Sequence, residues 1–70
     1  MLALIEVEAG EYVARHTHPG LEMTYLLEGE ATLSVDGRAD QPMKAADWFE
    51  VPAGVPHSVR IGDKPGKALG

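Results

Sequence analysis

Three histidines and one glutamate are the residues whose types and spacing point to metal chemistry. His16 and His18 lie two residues apart, and Glu22 follows them after a Pro19-Gly20 turn. On a strand, side chains two residues apart point to the same face, so both imidazoles are expected to face one site. Imidazole nitrogen and carboxylate oxygen together suit a borderline divalent metal.

The third histidine, His57, follows a loop that two prolines stiffen, from Pro52 to Pro56. Taken alone, a histidine on a strand is usually a surface or core residue, and a glutamate is usually solvated. The joint pattern favours a metal site, because each of the four residues lies where one ion can use it. We therefore predict His16, His18, Glu22 and His57 as metal ligands, with Glu22 also a candidate catalytic proton acceptor.

The stretch from Gly10 to Gly29 reads G-x5-H-x-H-x3-E-x6-G, and it resembles the first motif of the cupin family at every marked position. The second cupin motif reads G-x5-P-x-G-x2-H-x3-N, and residues 46–61 resemble it in part. The matching positions of the second motif are Pro52, Gly54 and His57. The two motifs together contain all four predicted ligands.

Two positions of the second motif depart from the family. Ala46 stands where the family has glycine, and its methyl group costs stability if the turn requires a positive φ. Ile61 stands where the family has asparagine. Because Ile61 lies four residues after His57 on a predicted strand, it is expected to line the same interior and to make the pocket more apolar.

The resemblance implies a small antiparallel jelly-roll β-barrel, with one domain over residues 1–70 and motifs at 10–29 and 46–61. It also implies one divalent transition metal: iron, manganese, nickel, copper or zinc. Small cupins usually carry a further strand before the first motif and a complete strand after the second. A chain truncated at both ends, with its barrel completed by a partner chain, is therefore an alternative.

The hydrophobic pattern independently predicts an all-β fold without helices. Seven or eight short strands at close spacing are typical of an antiparallel sandwich or barrel. In the second strand, Tyr12, Ala14 and His16 are expected to share a face. The predicted strands are Leu2 to Glu8, Glu11 to His18, Glu22 to Glu28, Ala31 to Val35, Arg38 to Met43, Trp48 to Val51 and His57 to Ile61, with a further strand opening at Lys67.

Length and composition predict that the fold needs support beyond its own core. The chain has 70 residues and no cysteine, so disulfides are excluded and metal binding or self-association remains. The strand from Glu22 to Glu28 is apolar on both faces, with Met23, Tyr25 and Leu27 opposite Leu26. We therefore predict a homodimer, with Leu2 to Val7 or the Leu69 end contributing to the contact.

Charge and hydropathy exclude several classes of partner. The formal net charge is −5 and the six basic residues are scattered, which disfavours nucleic acids and anionic membrane surfaces. No stretch approaches the roughly 18 apolar residues of a membrane span. The apolar start is followed at once by Glu6 and Glu8 and lacks the positive charge of a signal peptide, so the expected location is the cytoplasm.

Three functions agree with these features. The first is a metalloenzyme on a small organic substrate, either a dioxygenase-like oxidoreductase or an isomerase, with Val59 and Ile61 as an apolar substrate wall. The second is a non-catalytic module of the sensor or storage type that binds metal and a small ligand. The third is the truncated cupin that a partner chain completes.

Overall fold

The computed structural model describes residues 3–70, and these residues form eight β-strands without a helix. Accordingly, this part of the chain has no helix long and apolar enough to cross a membrane. The strands are β1 (Leu4–Val7), β2 (Tyr12–His16), β3 (Glu22–Glu28), β4 (Glu30–Val35), β5 (Gln41–Lys44), β6 (Trp48–Val51), β7 (His57–Ile61) and β8 (Gly66–Leu69).

The eight strands form two four-stranded sheets in which every neighbouring pair is antiparallel. One sheet has the order β1-β8-β3-β6 and the other has the order β2-β7-β4-β5. Apart from the β4–β5 hairpin, successive strands pass between the sheets, and the last strands pair with the first, as in an eight-stranded jelly roll built from two Greek keys. The predicted all-β jelly-roll fold is therefore confirmed.

The core lies between the two sheets and follows from the alternation of the strands. Inward residues of β3 to β6 are fully or partly buried, while most of their sequence neighbours are exposed. β5, which contains Pro42, is an edge strand, as expected for a residue that cannot donate a ladder hydrogen bond. The buried cluster consists of Leu26, Leu33, Val35, Met43 and Val51.

The predicted face of β2 is wrong, because the β2–β7 pairing contains a register shift. Val13 pairs with Val59 and His16 pairs with His57, with an irregularity between the two pairs. An extra residue in one strand changes which side chains face inward. Val13 and His16 are therefore partly buried, whereas Tyr12 and Ala14 are exposed.

Strand ends differ from the prediction by a few residues. β2 ends at His16, so His18 lies in the following loop, and β1 covers only Leu4–Val7, while Leu2 lies outside the described residues. The strand after the Asp36-Gly37 turn begins at Gln41 instead of Arg38, because residues 36–40 form a turn and a short loop. β3, β6 and β7 have the predicted bounds.

The turn between β5 and β6 places Ala46 in a strained backbone conformation. Ala46 has a φ of 78°. Among the residues other than glycine that the structure describes, it alone has a positive φ. The turn is held by the Ala46 amide, which donates to the Leu26 carbonyl at 2.8 Å, and by the Lys44 amide, which donates to the Asp47 carboxylate at 2.9 Å. The left-handed conformation costs an L-residue roughly 1–2 kcal/mol.

Replacing Ala46 with Gly should stabilise the protein. The strain energy relieved exceeds the roughly 0.4–1 kcal/mol of stability that glycine costs by raising the conformational entropy of the unfolded chain. We expect a melting temperature higher by on the order of 4 °C, since about 1 kcal/mol shifts a domain of this size by about 4–8 °C. The control is Ala45→Gly in the same turn, where φ is not positive; calorimetry should show no gain there, and an equal change in both variants would contradict the strain.

An apolar row crosses the outer face of the β1-β8-β3-β6 sheet. In register, Leu4 pairs with Leu69, Leu69 with Tyr25, and Tyr25 with Trp48. Leu4, Tyr25 and Trp48 are exposed. The predicted two-faced strand is thus present: its inner face packs in the core, and its outer face continues across four strands as one apolar surface.

Homodimer formation remains a prediction, and the apolar row gives it a specific test. A stable interface buries about 800 Å² of each partner, and Trp48 is the largest side chain of the row. Trp48→Asp should therefore lower the molar mass measured by light scattering from that of a dimer to that of a monomer. Leu21→Asp is the matched control, because Leu21 is an equally exposed apolar residue in a loop outside the row. A wild-type monomer at micromolar concentration would refute the dimer.

Candidate metal centre

The four predicted ligands come together at one end of the space between the sheets. One nitrogen or oxygen from each of His16, His18, Glu22 and His57 lies within 4.8 Å of the corresponding atoms of the others. His57 is buried and the other three are partly buried. The three donors of the first motif lie 35–41 residues before His57 in the chain, so the two sequence motifs converge as predicted.

Backbone pairing explains the convergence. His16 ends β2 directly opposite His57, which begins β7. Glu22 begins β3 in the facing sheet. His18 lies in the intervening loop, where its carbonyl accepts a hydrogen bond of 2.8 Å from the Gly54 amide, so the Pro52 to Pro56 loop is tied to the first motif.

Two of the imidazoles have a defined tautomer. His16 Nδ1 lies 2.6 Å from the Ala14 carbonyl oxygen, and His57 Nδ1 lies 3.0 Å from the Val55 carbonyl oxygen. A carbonyl oxygen only accepts, so each Nδ1 carries the proton and donates it. The Nε2 atom of each ring is left with a lone pair, which is the form that binds a metal.

The four donor atoms lie close enough together to surround a single cation. His16 Nε2 lies 3.0 Å from His18 Nε2, and Glu22 Oε1 lies 2.6 Å from His18 Nε2 and 3.5 Å from His57 Nε2. Ligands about 2.1 Å from a metal are about 3.0 Å apart at right angles and about 3.4 Å apart at tetrahedral angles. The separations of 3.0 and 3.5 Å agree with this spacing, whereas the 2.6 Å between Glu22 Oε1 and His18 Nε2 is a hydrogen-bond distance. The donor atom types suit a transition metal.

His57 Nε2 provides the sharpest indication that the cluster suits a cation. It is a buried side-chain nitrogen without a hydrogen-bond partner in residues 3–70. Leaving such an atom unpaired costs about 1–3 kcal/mol. Since its lone pair faces the other donors of the cluster, a cation bound there would satisfy it.

A cavity of about 250 Å³ adjoins the cluster between the two sheets. His16, His18 and Glu22 form its polar end. The predicted wall residues Val59 and Ile61 line it, as expected from their position on β7. The other lining residues are Ile5, Val7, Val13, Thr24, Leu26, Ala31, Met43, Phe49, Lys67 and Ala68.

Comparison with known proteins assigns the family. The cupin-domain family model matches residues 3–69, nearly the whole chain. The chain belongs to the cupin family. The four clustered residues of this cupin are those that occupy the ligand positions of its two motifs.

Among its relatives is the dimethylsulfoniopropionate lyase DddQ of Ruegeria pomeroyi, which is 33% identical over 66 residues, or 94% of this chain. The crystal structure of that lyase superposes on 97% of this chain with a TM-score of 0.90. A cupin superfamily protein of Desulfitobacterium hafniense is 26% identical, with a TM-score of 0.86 over 97% of this chain and 61% of its own. This cupin spans only about a third of the length of DddQ.

Thr24 and the two tyrosines have different positions relative to the cavity. Thr24 lines the cavity, two residues beyond Glu22 on the same strand face. Tyr12 and Tyr25 are exposed and lie outside that lining. Too few lining residues were also predicted from the sequence. Ile5 and Val7 line the cavity as well, and their alternation with Glu6 and Glu8 could have indicated that they face inward.

Arg15 joins the two halves of the centre from outside. Its guanidinium donates to Asp36 Oδ1 at 2.7 Å, to Ser34 Oγ at 2.8 Å and to the Pro56 carbonyl oxygen at 3.1 Å. Arg15 precedes His16 and Pro56 precedes His57, so one side chain holds the backbones of both ligands. Because the ion pair with Asp36 is exposed, it adds little stability. We expect Arg15 instead to help position the backbones next to His16 and His57.

Arg15→Ala should weaken metal binding without removing a ligand. Loss of partners that orient ligands typically costs 10–100-fold in metal affinity, and we expect a value near the lower end, about tenfold, because Arg15 acts through the backbone. Arg15→Lys should recover part of the loss. Competition with a metal-binding dye measures the affinity, and Arg60→Ala is the control, because Arg60 stacks on Tyr12 on the outer face. Equal affinities in all variants would exclude the positioning role.

Proposed function

We propose that this cupin binds one divalent transition metal through His16, His18, Glu22 and His57 and admits a small organic molecule into the adjoining cavity. The observation that carries the proposal is the buried, unpaired Nε2 of His57, whose lone pair faces the other donors. Three nitrogens and one carboxylate oxygen accommodate iron, manganese, nickel, copper or zinc.

The chemistry follows from the number of ligands. Four protein donors leave one position open in a five-coordinate shell or two in a six-coordinate shell, and a metal there would supply Lewis acidity toward a molecule bound beside it. His16 and His57 keep their metal-binding tautomer through their carbonyl partners. Glu22 binds through Oε1, and its second oxygen is the candidate proton acceptor. The apolar walls exclude water from the bound molecule.

Two reactions are candidates for this centre. An oxygen-dependent oxidation of the dioxygenase type is supported by the open positions and the apolar wall. A lyase reaction is supported by the similarity to the DddQ lyase, in which case Glu22 would accept the proton removed from the substrate. Oxygen uptake and release of dimethyl sulfide from dimethylsulfoniopropionate distinguish the two, and ligand binding without either would favour the non-catalytic sensor or storage module.

His57→Ala tests the metal centre most directly. Elemental analysis of the wild type should find about one metal per chain, and the variant should lose it. Removal of the metal should also lower the melting temperature, because a ligand at about 100 times its dissociation constant stabilises the folded state by about 2.7 kcal/mol. Chelator should therefore lower the melting temperature of the wild type and leave that of the variant unchanged.

Ser58→Ala provides the matched control for this experiment. Ser58 is also buried and is the next residue on β7, so its replacement perturbs packing without removing a metal donor. Metal content should remain at one equivalent in Ser58→Ala. One full equivalent in His57→Ala, with unchanged sensitivity to chelator, would show that the two motifs do not share an ion.

A further inference from the structure

The cavity beside the cluster has a charge and a size that select its ligand. We propose that it takes a monocarboxylate with a short, unbranched apolar chain, the carboxylate lying toward His16, His18 and Glu22 and the chain lying between the sheets. This inference deepens the proposed function and rests on it, because the charge of the bound metal contributes to the net charge that the ligand must neutralise.

The charge balance of the centre favours a single negative charge on the ligand. Glu22 contributes one formal negative charge, and the three imidazoles contribute none, because imidazole binds a metal in its neutral form. A divalent metal therefore leaves a net charge of one positive unit at the end of an apolar cavity. A monoanion neutralises this positive charge, a neutral molecule leaves it in place, and a dianion turns the net charge to one negative unit. A net charge in apolar surroundings is costly.

The rest of the cavity offers no partner for a second charge. Ten of the lining residues beyond the cluster are apolar, and Thr24 adds one neutral hydroxyl. Lys67 is the remaining charged residue of the lining, but it is paired across the strands with Glu6, and its Nζ lies 3.9 Å from Glu28 Oε2. The body of the ligand is therefore expected to be uncharged and apolar.

The volume of the cavity limits the length of the chain. At a share of about 30 Å³ for each water-sized group, about 250 Å³ holds roughly eight non-hydrogen atoms. Hexanoate has six carbons and two oxygens and therefore fills the space. A longer chain must leave the cavity or displace the walls.

Zinc-loaded protein, verified by elemental analysis, tests the charge selection by isothermal titration calorimetry. Hexanoate should bind more tightly than hexan-1-ol, adipate or hexylammonium by at least about tenfold, which corresponds to about 1.4 kcal/mol. Metal-free protein should lose this preference. Equal or tighter binding of adipate or hexan-1-ol would overturn the charge argument.

A series of chain lengths separates the cavity from simple anion binding to an open metal position. Each buried methylene contributes about fourfold in affinity, so hexanoate should bind on the order of 100-fold more tightly than acetate. Decanoate should bind no more tightly than hexanoate. A series without dependence on length, or one that keeps rising to decanoate, would show that the chain does not occupy this cavity.

Variants that fill the cavity complete the test. Ala31 and Ala68 line the cavity from opposite sheets, so Ala31→Leu and Ala68→Leu should each weaken hexanoate by at least about tenfold while acetate affinity stays unchanged. Both positions are tested because a larger side chain can overpack the core and destabilise one of the two variants. Ala45→Leu, at an exposed position of the β5–β6 turn, is the control and should bind as the wild type does.

The results distinguish this inference from the function on which it rests. If elemental analysis finds no bound zinc in the wild type, the metal centre itself is wrong and the inference fails with it. If zinc is bound but hexanoate shows neither charge nor length selection, only the ligand class is overturned. Unchanged hexanoate affinity in both filled variants, with normal melting temperatures, would also overturn it.

Discussion

The pairing of β2 with β7 is the constraint on which the centre depends. It places His16 opposite His57, so donors from the two ends of the sequence face one point. Each of these histidines also uses its Nδ1 to bond a carbonyl two residues earlier in the chain. The same local geometry thus occurs twice, and it directs two Nε2 lone pairs toward one point, where a single cation could bind both.

This arrangement couples binding to stability. A chain of 70 residues without cysteine has few means of offsetting the entropy of folding. The cluster connects β2 and β7 in one sheet with β3 in the other, so an ion bound there would link the two sheets that enclose the core. An unpaired, buried His57 Nε2 is costly, and an ion bound there would remove that cost and stabilise the fold.

The sequence allowed prediction of most of the fold and of the clustered residues, for different physical reasons. Turn and loop residues on either side set the bounds of β3, β6 and β7, and the motif spacing identified all four clustered residues. The face of β2 was not predictable, because the extra residue between Val13 and His16 is defined only by pairing with β7. The role of Arg15 was missed for a similar reason, since its partners lie 19–41 residues away in the chain.

The two departures from the family motif have separate consequences for this cupin. Ala46 lies at the turn between β5 and β6 with a φ of 78°, so its methyl group affects stability through the backbone. Ile61 is buried and lines the cavity, so its side chain affects the ligand. Replacing a polar group with an aliphatic one at that position removes a hydrogen-bonding partner from the wall. Recognition of a bound molecule is then left to the metal end, with Thr24 as the neutral polar side chain of the remaining lining.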